Sequence, residues 1–114
     1  MARVLVVGAG VTGLSCAVRL LERGHEVGVV ARDLPLETTS AVAAALWYPY
    51  LAHPPERVAA WAHTTYAELA RLAADPETGI ALRPGTEVLR RRMTQPAWLA
   101  RVPGAGPAAE VPRG

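Results

Sequence analysis

Gly8, Gly10 and Gly13 form a Gly-x-Gly-x-x-Gly turn, and this is where the sequence most clearly offers chemistry. Gly8 permits a tight exit from a strand, Gly10 removes a Cβ where a pyrophosphate would approach the backbone, and Gly13 lets a helix pack close to that strand. The first-turn N–H groups of the helix have no partner within it, and together with the helix dipole they bind an anion. Two further groups could serve the same ligand: Arg32-Asp33, and the hydroxyls of Thr38, Thr39 and Ser40. The combination points to dinucleotide binding; a glycine-rich turn with no ligand is the plainer alternative. His53 and His63 have no carboxylate or thiol at ligand spacing, so no metal site is expected.

These residues need elements to position them, and the flanking sequence supplies those elements. Val4-Leu5-Val6-Val7 reads as a strand buried on both faces, as in parallel sheets. Leu14, Ala17, Val18 and Leu21 recur at i, i+3, i+4 and i+7, which puts them on one helical face, and Gly24 stands where a glycine would end that helix. Val27-Gly28-Val29-Val30-Ala31 reads as a second buried strand. The order is strand, glycine turn, helix, parallel strand, with a right-handed crossover expected.

The end of the second strand is informative. A dinucleotide fold usually places Asp or Glu there to accept hydrogen bonds from the adenosine ribose, yet Ala31 occupies that position. Arg32 beside a missing carboxylate could hold the 2′-phosphate of NADP; alternatively, Asp33 could reach the ribose from further on. Thr38, Thr39 and Ser40 offer N-cap hydroxyls ahead of a small Ala-rich turn of helix, which Pro49 limits. Their bland reading is an ordinary cap and a tightly packed short helix.

The chain has 114 residues, 51% hydrophobic and 19% charged, with a net charge of +2. That is at most one domain, globular, and too weakly charged to argue for nucleic acid. Cys16 is the only cysteine, so no internal disulfide can form, which fits a reducing compartment. The glycine-interrupted start is neither a signal peptide nor a membrane span, and the expected location is the cytoplasm. From Pro54-Pro55 a helix is expected to about Ala74, with Val58, Trp61, Ala62, Thr65, Leu69 and Leu72 on its core face and Asp75-Pro76 closing it. Ile80-Ala81-Leu82 and Thr86-Glu87-Val88-Leu89 read as short strands around Pro84-Gly85. Arg90-Arg91-Arg92 reads as a solvated basic run, and the Pro/Gly/Ala-rich segment from Val102 as loop or disorder.

Three blocks carry a family resemblance. They are Val6-Val7-Gly8-Ala9-Gly10-Val11 with Gly13-Leu14-Ser15, Arg32-Asp33-Leu34-Pro35, and Thr38-Thr39-Ser40 with Val42-Ala43-Ala44-Ala45-Leu46-Trp47 and Pro49-Tyr50. Together they resemble the N-terminal part of D-amino-acid oxidases, closely over residues 2–52 and weakly to about Trp98. The first block is shared with many flavoproteins; the third is the specific one. The resemblance implies an α/β fold: the N-terminal βαβ of a Rossmann-like FAD-binding domain over residues 1–101, with a long helix, short strands and an incomplete sheet, then a loop or disordered end over 102–114.

The cofactor implied is FAD. Gly8, Ala9, Gly10, Val11, Thr12 and Gly13 match the family's pyrophosphate turn, and Arg32 and Asp33 a polar pair near the adenosine. Thr38, Thr39 and Ser40 match positions along the diphosphate and ribityl chain, and Ala44, Ala45 and Leu46 a backbone segment passing the flavin ring. The family often has Gly where Ala45 stands, and Tyr48 occupies a place where some members carry a polar substrate-side residue. The implied reaction is oxidative deamination of a D-amino acid with oxygen, giving a 2-oxo acid, ammonia and hydrogen peroxide. No nucleic-acid or membrane partner is implied, no catalytic residue is assigned, and neither oligomeric state nor the particular D-amino acid can be read.

The residues that pair with substrate in the family have no counterpart in this sequence. The expectation is therefore an N-terminal fragment or truncated product, inactive alone and poorly soluble through an open apolar sheet edge. Two other readings stay open: an NAD(P)-binding module, and a non-catalytic remnant that keeps the βαβ shape.

Overall fold

The computed structural model describes residues 1–91 and 93–107. The chain divides into two compact units, Met1–Leu46 and Trp47–Gly114. The first unit is the expected strand–helix–strand. β1 (Arg3–Val7) leads through the glycine turn into α1 (Val11–Glu22), and β2 (Glu26–Val30) returns parallel to β1. The register pairs Arg3 with Glu26 and Val7 with Val30. At the start of the ladder the Ala2 carbonyl accepts from the Glu26 amide at 3.0 Å and the Ala2 amide donates to His25 Nδ1 at 3.2 Å.

α1 ends as its sequence dictates. Gly24 takes φ +79°, its amide donates to the Leu21 carbonyl, and the His25 amide donates to the Leu20 carbonyl. This is a Schellman motif, and it satisfies carbonyls that the helix itself leaves open.

Two expectations about burial are corrected. The strands are not covered on both faces: Val4 and Val6 are half-buried, whereas Leu5 is 67% and Val7 80% exposed, and Val29 and Val30 are also exposed. The described sheet has two strands, and α1 packs on one face of them, so the alternate side chains have nothing to meet. The inner face of α1 is also rotated from the one expected. Gly13, Leu14, Ala17 and Leu20 turn inward, while Val18 and Leu21 are exposed. The close approach of Gly13 to the strand exit sets that rotation.

After β2 come a 3₁₀ turn (Pro35–Glu37) and the single helical turn α2 (Thr39–Val42). No hydroxyl caps α2: Thr38 is its N-cap residue, but Thr38 Oγ1 donates to the Pro35 carbonyl at 2.8 Å. Helix stops at Val42, and Ala43 is already extended.

The second unit is built on α3 (Pro55–Leu72), which begins at the expected proline. Ala59 and Ala62 are buried, and Val58, Tyr66 and Leu69 half-buried. Trp61, expected in the core, is 60% exposed, and Thr65 is exposed as well. Trp47 packs there instead: its Nε1 donates to the Ala62 carbonyl at 3.2 Å, and its ring meets Tyr66 and Trp98 edge-on at 5.1 and 5.4 Å. α3 closes at Asp75-Pro76: Asp75 accepts from the Glu77 amide, and Thr78 Oγ1 donates to the Leu72 carbonyl.

The two short strands expected at 80–82 and 86–89 do not form; residues 79–89 carry no regular structure. Segments of three and four residues joined by one turn are too short to hold a hairpin without a third strand. A 3₁₀ turn at Leu99–Arg101 is the last regular piece described, and residues 102–107 have none. Arg92 of the basic run and residues 108–114 of the expected loop lie outside the described residues. Among the described residues no helix is long and apolar enough to cross a membrane.

Candidate functional site

A cleft of about 320 Å³ opens at the C-terminal ends of β1 and β2, lined by Gly8, Ala9, Gly10, Ala31, Arg32, Asp33, Thr38 and Thr39. The lining follows from the topology: parallel strands deliver their exits to the same edge, where ligands of open α/β sheets bind. The Gly8 amide donates to the Val30 carbonyl at 2.8 Å, which holds the two exits together, and Gly8 turns away at φ +109°, a conformation L side chains rarely adopt. At Gly13 a Cβ would collide with the carbonyl oxygen of Gly8. The obstacle is main chain and the position of a Cβ is set by the backbone, so no side-chain rotation relieves it.

The N-terminus of α1 reaches the cleft through Gly10, its N-cap residue, which has no side chain to offer the helix. Ser40 supplies the missing cap from 29 residues away: its Oγ accepts from the Val11 amide at 3.0 Å. A Cβ on Gly10 would stand 3.0 Å from that same Oγ. The hydroxyl expected to cap its own short helix thus caps the other one and draws α2 toward the glycine turn.

On the β2 side, Arg32 and Asp33 grip each other. Arg32 Nε donates to Asp33 Oδ1 and Oδ2 at 3.0 and 3.1 Å, and Arg32 Nη2 donates to Oδ2 at 2.8 Å. Hydrogen bonding to Asp33 raises the Arg32 pKa above its ordinary value, opposed by slight desolvation. Ala31 lies between this pair and the strand; the sequence marks it only as the place of a missing carboxylate, and the structure makes it part of the wall. The connection onward is ordered by its own contacts, with the Leu34 amide donating to Glu37 Oε2 at 2.9 Å.

Of the residues singled out in the sequence, Gly8, Ala9, Gly10, Arg32, Asp33, Thr38 and Thr39 line the cleft together. Val11 and Ser40 join through their hydrogen bond, and Thr12 and Gly13 stand in the first turn of α1, outside the lining. Ala44, Ala45 and Leu46 are exposed, irregular and outside the lining. A glycine cradle without Cβ atoms, a helix N-terminus and a charged pair suit the pyrophosphate and ribose of an adenine dinucleotide.

The second unit holds a separate polar contact that no motif announces. Tyr48 stacks on Tyr50 at 5.4 Å and 4°, meets Trp98 edge-on at 5.7 Å, and donates its hydroxyl to Glu87 Oε1 at 2.6 Å. That hydrogen bond raises the Tyr48 pKa, with desolvation and the charges of Glu87 and Tyr50 adding to it. Among the described residues no group of three His, Cys, Asp or Glu could hold a metal ion.

Residues 3–111 match the family described as FAD dependent oxidoreductase. A D-amino-acid oxidase of Rubrobacter xylanophilus is 54% identical over 105 residues, covering 91% of this chain and 32% of that protein. A D-amino-acid oxidase of Streptomyces coelicolor is 40% identical over 111 residues, covering 94% of this chain and 35% of its own length. One from Dictyostelium discoideum is 38% identical over 98 residues, covering 82% and 28%. The chain thus spans about a third of the length of these relatives. No solved structure matches.

Proposed function

Because this chain belongs to the FAD dependent oxidoreductase family, we propose that its first unit forms the adenosine-diphosphate end of the FAD site of a Rossmann-like D-amino-acid oxidase. The observation that carries this reading is the cleft itself, which gathers Gly8–Gly10, Arg32–Asp33 and Thr38–Thr39 around one opening at the strand ends. The amides of the glycine turn and the first turn of α1, apart from those of Gly8 and Val11 that Val30 and Ser40 already engage, would hold the pyrophosphate, with Thr12 and Ser40 beside them. Asp33 would accept from the ribose in place of a carboxylate at Ala31. Ala44, Ala45 and Leu46 would pass the flavin ring, on the resemblance of their segment to the family.

When bound, FAD supplies the two-electron oxidation that converts a D-amino acid, water and oxygen to a 2-oxo acid, ammonia and hydrogen peroxide. The part of these residues is to hold and orient that cofactor by its nucleotide end. The pairing of Arg32 with Asp33 argues against an NADP-binding module, since the carboxylate offsets the positive charge that a 2′-phosphate would need.

Titration of the chain with FAD, followed by flavin fluorescence, tests the reading. Saturable one-to-one binding that ADP displaces is the expected result. Tighter binding of NADPH than of FAD would favour the NAD(P) module, and no binding of either would favour the ligand-free remnant.

A further inference from the structure

Tyr48, Tyr50, Glu87 and Trp98 all belong to the second unit, and none of them lines the nucleotide cleft. The tyrosine pair is built locally. Pro49 stands between the two with its φ fixed by its own ring, and the Tyr50 amide donates to the Tyr48 carbonyl at 2.8 Å. That tight turn brings both rings to one side, stacked at 5.4 Å and 4°. Trp98 meets Tyr48 at 90° and stands across the pair. Tyr48 covers one face of Tyr50, yet Tyr50 remains 61% exposed, so its other face is open to water.

The polar groups gather at one end of the ring pair. The Tyr48 hydroxyl donates to Glu87 Oε1 at 2.6 Å, and the charges of Glu87 and Tyr50 both act on that hydroxyl. Glu87 is exposed, and among the described residues no Arg or His forms an ion pair with it. An ionised carboxylate has about four lone-pair sites, and one phenol donor leaves most of them open. The faces of the rings are electronegative as well. Carboxylate, phenol oxygens and open ring face all attract positive charge, and no described side chain supplies it.

We propose that Tyr48, Tyr50, Trp98 and Glu87 form a binding site for a small organic cation, with an alkylguanidinium as the best fit. The planar ion stacks on the open face of Tyr50 while its N–H edge donates to the Glu87 carboxylate. An alkylammonium is a point charge that reaches the carboxylate but covers little of the ring, so it binds more weakly. A neutral urea of the same shape keeps the stacking and loses the charge.

The test uses the whole chain and two probes, ethylguanidinium and its neutral isostere ethylurea, with binding read from the ring-proton NMR signals. Ethylguanidinium shifts the signals of Tyr50 and Trp98 saturably, and those of Trp61, which takes no part in the ring cluster, stay in place. Ethylurea binds about fivefold or more weakly. Glu87→Gln keeps an acceptor for the Tyr48 hydroxyl and removes the charge, so it weakens ethylguanidinium about fivefold and leaves ethylurea unchanged. Tyr50→Leu removes the open ring face and weakens both probes, read at Trp98. Glu87 and Tyr50 are exposed, and circular dichroism verifies that each variant keeps the α3 helicity of the wild type. Shifts that do not saturate, equal binding of the two probes, or an unchanged ethylguanidinium affinity in Glu87→Gln overturns the proposal. No residue of the nucleotide cleft takes part, so the FAD titration succeeds or fails independently of this one.

Discussion

The first unit is held by its main chain, the second by its side chains. From Met1 to Leu46 the decisive contacts are backbone: the parallel ladder, the Gly8 amide on the Val30 carbonyl, the Schellman closure at Gly24, and the absence of a Cβ at Gly13. From Trp47 onward, α3 is the one long element described, and the residues around it are tied by rings and single polar contacts: Trp47 on Ala62, Tyr66 and Trp98, and Tyr48 on Glu87. Main-chain contacts position backbone donors at a cleft regardless of most side chains. A ring cluster depends on each member being present. The proposed nucleotide site accordingly sits in the unit whose geometry is set by backbone.

The comparison is sharpest at Gly13. Gly13→Ala places a methyl group against the Gly8 carbonyl with no side chain free to yield, and is expected to cost about 3 kcal/mol or more. Chemical denaturation measures that loss, and FAD binding should vanish with it; near-wild-type stability would mean the turn is looser than described. In the second unit Trp47→Ala removes two edge-on ring contacts and the hydrogen bond to Ala62. Because the ring is only half-buried, about 2 kcal/mol is expected, seen as a lower thermal midpoint of α3 helicity. An unchanged melt would show that α3 does not depend on the ring cluster.

Ser40→Ala tests a side chain on which the first unit leans. Loss of the Oγ that caps Val11 should cost about 1 kcal/mol. The smallest effect belongs to Tyr48, whose pKa is raised by its bond to Glu87. The protonated phenol is the form favoured in the fold, so its contribution is complete below the ordinary tyrosine pKa of 10.0 and is lost as pH rises through the higher folded value. Ultraviolet titration should show one of the three tyrosines ionising late, and Tyr48→Phe should remove that phase. If all three titrate together, the Tyr48–Glu87 bond is not held in solution.

The glycine turn, α1 with its stop at Gly24, β2 and α3 were all legible in the sequence because each is specified locally. Glycine spacing, a helical apolar period, a C′ glycine and a proline at N1 act on residues a few positions away. So were most of the cleft residues, since parallel strands of known order must deliver their exits to one edge. The failures share a cause too. Four apolar residues in Val4–Val7 cannot say whether a second layer exists to cover Leu5 and Val7, and the alternation around Pro84-Gly85 cannot say whether a third strand is there to stabilise the hairpin.

What the sequence determined by itself is a strand–turn–helix–strand that exposes backbone amides at its switch, because those forces are short-range and fixed by residue type. Tertiary structure decided the rest. It chose Trp47 over Trp61 to pack on α3, sent the Ser40 hydroxyl to the amide of Val11, and gave Arg32 to Asp33. Each of these depends on which distant or flexible group arrives within hydrogen-bonding or contact distance, and a linear pattern of residue types holds no record of that.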